Sequence, residues 1–392
     1  MSRRVLHAVA SAGDSYGGVS TALASLGAVE AAAAHDASLL TLYRPEQGTA
    51  VLSRLPSWFD VEVVRPGPLA GRFHGGSRLT AGLERLVPQH DLVVLHGVFD
   101  LASLVGGRMA RRFGVPYLLW PHGSLDPYDL TKHAVAKRRL AGVWRENLDG
   151  AAALMCTTTR EAELLTTFGS RTRREVLPLP LPLPLYDELS ELDRPAARRL
   201  LGFRQEARVV LYLGRIDPKK GLSLLLDAFE QVAERHDVLL IVGSGDRKLT
   251  EALRMRAHAS RNADRILFTG WVDQRRRGEL LAAADLFVLL SDNENYSMAT
   301  AEAVAAGLPT LVSDQVYLAD ELARCQATVV VARSLPMVAR QLRRLLDDAS
   351  LRDVVGATGR RWAAEHLSVP RVAQRYANLV GKVLTSCQAS AY

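Results

Sequence analysis

Cysteine is nearly absent from this 392-residue chain: Cys156, Cys325 and Cys387 are all there is, far apart and odd in number. No CxxC spacing occurs, which argues against both a disulfide framework and a cysteine zinc site and fits a reduced, cytoplasmic setting. Long apolar runs are missing too. The longest candidate, Leu280–Leu290, is broken by Asp285, so no membrane-spanning helix is expected. The N-terminal stretch MSRRVLHAVASAGDSYGG is basic, but its apolar part is too short and too interrupted for a signal peptide. Aromatic residues make up only 6% and are not interleaved with a basic stripe, so no nucleic acid partner is expected.

What is present is an ordinary globular composition, 48% apolar and 23% charged, in a chain long enough for two or three domains. The net charge of +7 is unevenly spread: residues 101–150 hold eight Lys/Arg against four Asp/Glu. Lys132, Lys137, Arg138 and Arg139 crowd one expected helix there, which suits peripheral docking on an anionic membrane surface.

Short apolar strands alternate with helical stretches from end to end. The first half offers Val5–Ala10, Ser38–Leu42, Val61–Val64, Leu92–His96, Tyr117–Trp120, Ala152–Cys156 and Glu175–Leu177. The second half offers Val209–Gly214, Val238–Val242, Ile266–Thr269, Leu286–Leu290, Thr310–Ser313 and Thr328–Val331. Most are continuous apolar runs, the mark of strands buried on both faces of a parallel sheet covered by helices. The expected class is α/β, doubly wound. The series breaks once, at LPLPLPLPL (Leu177–Leu185), where proline stiffens the chain into an apolar linker. A polar helix-like stretch, Asp187–Leu201, follows it. Two Rossmann-like domains are therefore expected, 1–185 and 186–369 facing a central cleft, with a last helix in 370–392 crossing back to the first.

Two constellations carry chemistry. In YLGRIDPKKG a buried strand ends at Gly214, Arg215 follows in the loop, and Lys220-Gly221 open the next helix. Ligands of open α/β sheets bind beyond the carboxyl ends of the strands, and helix N-termini there favour anions, so two cations at this place suit a diphosphate. In SDNENYSMATAEAVAAGLP a strand ends at Leu290, Glu294 lies in the loop, Ser297 caps a helix starting at Met298, and Glu302 falls in its second turn. The amides of Met298, Ala299 and Thr300 should be unpaired and available to an anion. Glu294, unable to hold phosphate, suits sugar hydroxyls. Taken singly, none of these residues outweighs its plainer reading as a solvated loop charge or a helix-end carboxylate.

Taken together, Gly214-Arg215…Lys220-Gly221 followed by Glu294-x7-Glu302 resembles family four of the retaining glycosyltransferases, the group 1 family, of GT-B fold and bacterial polysaccharide type. The resemblance covers nearly the whole chain and is most specific in the C-terminal half. It implies that Arg215 and Lys220 bind the donor diphosphate and stabilise it as it leaves, that Glu294 binds the donor sugar and that Glu302 binds the nucleotide ribose. Tyr296-Ser297 stand where the family often has Phe-Gly. Phe268–Val272, with Gly270, Trp271 and Val272, resembles the segment lying against the base, and Gly243-Ser244-Gly245 the turn lining the nucleotide pocket. Tyr16-Gly17-Gly18-Val19 resembles the turn facing the donor phosphates. In Trp120–Asp126, His122 matches the family's histidine near the donor sugar. His96, in Leu95-His96-Gly97, and Asp126 are weaker matches on the acceptor side.

The expected activity is transfer of a sugar, with retention and without metal or other cofactor, from a nucleotide sugar (UDP- or GDP-linked) to a hydroxyl of a glycan or lipid-linked acceptor in exopolysaccharide, capsule or other cell-surface glycan synthesis. The alternatives are transfer to a small soluble or natural-product acceptor, a nucleotide-sugar 2-epimerase, and a non-catalytic sugar-nucleotide binding protein.

Overall fold

The computed structural model describes residues 2–11, 18–42, 60–64, 76–132, 134–183 and 194–389. The chain forms two compact units, Met1–Pro180 with Val369–Tyr392, and Leu181–Ser368. The first contains β1 (Arg4–Val9), β2 (Asp36–Leu42), β3 (Asp60–Val64), β4 (Leu92–His96), β5 (Tyr117–Trp120), β6 (Ala153–Cys156) and β7 (Arg174–Val176), in the order β3-β2-β1-β4-β5-β6-β7. The second contains β8 (Arg208–Leu213), β9 (Asp237–Val242), β10 (Ile266–Gly270), β11 (Leu286–Leu289), β12 (Thr310–Ser313) and β13 (Val329–Val331), in the order β10-β9-β8-β11-β12-β13.

All the strand pairings are parallel. Every strand candidate is present, no end moved by more than two residues. The reason is visible in β4, β5, β6, β11 and β12, which are buried along their whole length and so had to be apolar at consecutive positions. In each sheet the strand order reverses once, between β1 and β4 and between β8 and β11. At such a switch point neighbouring loops diverge and leave a crevice at the carboxyl edge.

Asp285, which interrupts the apolar run before β11, is buried and fully used: it accepts the Val209 N–H at 2.7 Å and pairs with Arg198. The proline-rich stretch is more than a linker. Leu177 to Leu181 are buried at every position, prolines included, and the Leu181 N–H donates to Leu367 O at 2.8 Å. Residues 184–193 lie outside the described set, and the polar helix following them is Arg194–Leu201. The last helix, Val369–Ala389, packs on Gly18–Ala32.

Close backbone approach holds the loops at the carboxyl edge of the second sheet. Gly221 has φ +70°, and a Cβ there would stand 2.0 Å from Leu290 O. Gly243 has φ +139°, and a Cβ there would stand 1.8 Å from Gly214 O. Both positions exclude any side chain. Gly243→Ala is expected to cost the second unit at least about 2 kcal/mol, because a disfavoured φ and a backbone clash coincide. Thermal unfolding followed by circular dichroism should show that unit's transition lowered by at least about 4 °C; an unchanged transition would show that the two loops part without cost.

Candidate functional site

At the switch point of the second sheet, the loops after β8 and β11 meet. Asp217 caps the short 3-10 turn Pro218–Lys220 by accepting the Lys219 N–H, and Gly221 begins the helix Leu222–Val232. This puts Lys220 beside a helix N-terminus, where the dipole disfavours a cation. The compensation is Glu294: Lys220 Nζ pairs with Glu294 Oε2, the two side chains being 14% and 17% exposed. Glu294 is held in turn by its own backbone, which accepts Tyr317 N–H at 2.9 Å and donates to Gln315 O at 3.0 Å. Glu294 Oε1 makes no hydrogen bond among the described residues. Arg215 lies in the same loop, pinned by Tyr212 OH donating to Arg215 O at 2.7 Å, but its guanidinium is 57% exposed and turned to Asp217 at 3.1 Å.

Ser297 caps the helix Met298–Ala305, as the sequence indicates, although in an unexpected way. Its φ of +64° is left-handed, the conformation glycine adopts freely. Its Oγ accepts the Thr300 N–H at 3.3 Å. The expectation of three unpaired amides is thereby corrected: the cap itself uses Thr300, and Met298 and Ala299 remain without an acceptor among the described residues. Glu302, 7% exposed in its side chain, accepts from Arg277 Nη1 at 2.8 Å through Oε1 alone. Burial raises the Glu302 carboxyl above its usual range, and Arg277 opposes that rise. Tyr296 is buried beside the cap.

The glycines expected to line a nucleotide pocket are joined directly. Gly214 N–H donates to Val242 O at 3.0 Å, Gly243 N–H donates to Gly270 O at 2.8 Å, and Ile216 bridges to Gly245. Gly270 has φ +75°; after it Trp271 stands 68% exposed and Val272 half-buried, just before the Asp273 cap of Gln274–Ala283. That helix carries Arg277.

In the first unit the switch point holds a file of histidines. Glu30, on the helix Gly18–Ala32, accepts from His7 Nε2 at 2.8 Å and from His35 Nδ1 at 2.7 Å. His7 Nδ1 lies 3.0 Å from His96 Nε2, and His96 Nδ1 lies 2.9 Å from His122 Nε2. The rings are stacked, with Trp120 against His122 at 5.4 Å. His122 takes a left-handed φ of +51°, and the next N–H, of Gly123, is held by Glu161 Oε1 at 2.7 Å.

Two acceptor-side expectations are corrected here. His96 is 1% exposed with both ring nitrogens engaged, so it offers an acceptor no contact. Asp126 is buried and caps the helix Pro127–Thr131 through the Tyr128 N–H at 2.8 Å, a structural duty. The single basic helix is corrected too: Lys132 ends Pro127–Thr131, while Lys137, Arg138 and Arg139 belong to a separate helix, Ala134–Arg139. Lys137 is turned inward, 2.6 Å from Asp129 O. Gly18 opens its helix; Tyr16 and Gly17 lie outside the described residues.

Family models for "Glycosyl transferase 4-like domain" and "Glycosyl transferases group 1" match residues 17–180 and 193–362. The chain belongs to the glycosyl transferases of group 1. The chain is 24% identical over 242 residues to alpha-monoglucosyldiacylglycerol synthase of Streptococcus pneumoniae, covering 59% of this chain and 54% of that one. It is 32% identical over 237 residues to mannosylfructose-phosphate synthase of Agrobacterium fabrum, covering 54% and 51%. The matches thus span about half the length of these relatives. Among solved structures, the Anabaena protein HepE in complex with UDP and glucose superposes with TM-score 0.78 at 18% identity, covering 97% of this chain and 99% of that one. The fold class is GT-B, with two Rossmann-like α/β units.

The histidine file is expected to make the fold sensitive to acid. Burial, with His122 and His7 nearby, holds His96 well below its ordinary 6.5, and burial brings His122 down to about 3. For a histidine whose folded value is depressed, the unfolded chain takes up the proton first, so stability falls as pH drops below 6.5. Each such histidine contributes a slope of about 1.4 kcal/mol per pH unit. Burial alone would raise Glu30, but its hydrogen bonds to His35 and His7 prevail and bring it from 4.5 to about 2. Its own contribution is therefore intact above 4.5 and lost only as pH falls toward about 2. Apparent Tm should decline steadily from pH 6.5 to 4.5, and less steeply in His96→Gln. A flat profile over that range would contradict the neutral assignment of these rings.

Proposed function

We propose that this protein transfers a sugar from a UDP- or GDP-sugar to a hydroxyl acceptor, with retention and without metal, in the synthesis of a lipid-linked or other cell-surface glycan. The observation that carries the reading is the Lys220–Glu294 pair at the β8/β11 switch point, between two helix N-termini. In this pair each side chain neutralises the other. An arriving diphosphate displaces Glu294 from Lys220, and the released carboxylate accepts hydrogen bonds from the donor sugar. One exchange thus couples recognition of the phosphate to recognition of the sugar.

As the bond between the anomeric carbon and the donor phosphate oxygen breaks, negative charge grows on the leaving diphosphate. Lys220, Arg215 released from Asp217, and the Met298 and Ala299 amides stabilise that charge in place of a metal. The acceptor oxygen adds to the face that the diphosphate leaves, and its proton passes to the departing phosphate oxygen. Glu302 keeps one carboxylate oxygen for the ribose while Arg277 holds the other. UDP bound to HepE favours a UDP-sugar.

The Streptococcus relative named as a monoglucosyldiacylglycerol synthase favours a lipid acceptor. So does the exposure of Tyr128, Val135, Leu140 and Val143 around Arg138 and Arg139. Mannosylfructose-phosphate synthase favours the second reading, a small soluble acceptor. Sedimentation with anionic vesicles separates the two: binding that ignores anionic lipid counts against the membrane arm.

Lys220→Ala should lower kcat/KM by at least about 100-fold, or about 2.7 kcal/mol, in steady-state assays with the true donor. Near-normal turnover in the folded variant would sink the diphosphate assignment. Glu294→Gln should lose turnover but bind the nucleoside diphosphate at least as tightly as wild type in calorimetry, because Lys220 is no longer shared; weaker binding would refute the exchange.

A further inference from the structure

The file from Glu30 to His122 has a direction. An ionised carboxylate only accepts, so His7 Nε2 and His35 Nδ1 must both donate to Glu30. A charge to offset Glu30 costs less on His35, whose side chain is 6% exposed and meets no second histidine of the file, than on His7, which is 1% exposed and wedged between Glu30 and His96. A neutral imidazole has one N–H. With that proton on Nε2, His7 Nδ1 carries a lone pair, and His96 Nε2 must donate to it across 3.0 Å. His96 Nδ1 then accepts, and His122 Nε2 must donate to it across 2.9 Å. The last unassigned atom is His122 Nδ1, which has no partner among the described residues.

We propose that Glu30, acting through His7 and His96, holds His122 in the tautomer with its proton on Nε2, leaving Nδ1 as a hydrogen-bond acceptor for a substrate hydroxyl. The three upstream residues are positioning residues; none touches substrate. His7 and His96 are buried and stacked, so water cannot supply a competing donor along the file. The polarity also bears on specificity. A bare Nδ1 accepts from a hydroxyl, which can donate, and repels phosphate and carboxylate oxygens, which cannot. Identifying that hydroxyl as the donor sugar's rests on the transferase reading; the tautomer does not. A proton added at His7 would reverse every link and place a hydrogen on His122 Nδ1.

The direct test is a long-range proton–nitrogen correlation spectrum of the full chain labelled with nitrogen-15 histidine, at neutral pH, with His122 assigned by its loss in His122→Ala. A protonated Nε2 and a bare Nδ1 are expected. A proton on Nδ1, alone or with one on Nε2, overturns the proposal. The second arm is kinetic. His96→Phe keeps the ring shape and removes both bonds; kcat should fall about 10-fold or more. His96→Gln, whose amide can donate to His7 and accept from His122, should recover most of that loss. Unchanged kcat in a folded His96→Phe protein overturns the role in substrate binding. If His96→Phe does not fold, the wild-type spectrum decides alone. Failure of wild type to transfer from any nucleotide sugar would refute the transferase reading, while the spectrum would still decide the tautomer.

Discussion

The candidate site depends on main chain passing close to main chain. The loop after β8 reaches the end of β11 only because Gly221 lets Leu290 O approach, and it reaches the turn after β9 only because Gly243 lets Gly214 O approach. Parallel strands send all their carboxyl ends to one edge of a sheet. That gathers the loops but leaves them free to splay. The glycine contacts remove the freedom, and with it the separation between a cation after one strand and a carboxylate after another. Lys220 and Glu294, 74 residues apart in sequence, pair because the backbone beneath them is already in contact.

The two units use charge in opposite ways. Lys220 and Glu294 retain some exposure, and each has capacity to spare, so water and ligand can compete for them. Their pairing is a resting state. Glu30, His7 and His96 are sealed, and the low dielectric that makes them costly to bury also fixes which nitrogen holds each proton. One device exchanges partners; the other sets an orientation.

The fold was legible in the sequence because strands covered on both faces must be apolar at consecutive residues, a signal that survives without knowledge of pairing. The C-terminal site was legible because its residues lie just past strand ends at fixed spacing. What escaped lies in contacts that spacing does not encode. Arg277 is one of three consecutive arginines, and only its phase on Gln274–Ala283 brings it to Glu302. His7 and Glu30 come from different elements, and each alone reads as an isolated polar residue among apolar neighbours. A histidine inside the buried run Val5–Val9 was the available clue, since a buried polar group needs a partner. Ser297 concealed its left-handed backbone because its side chain satisfies the capping pattern whatever its φ.

The bridge between Leu181 and Ser368 has a further consequence. The chain leaves the first unit and returns to it at adjacent residues, so the second unit is an insertion whose ends are already joined by a hydrogen bond. The segment Leu181–Ser368 therefore begins and ends at one place, and every residue of the histidine file precedes it in the chain.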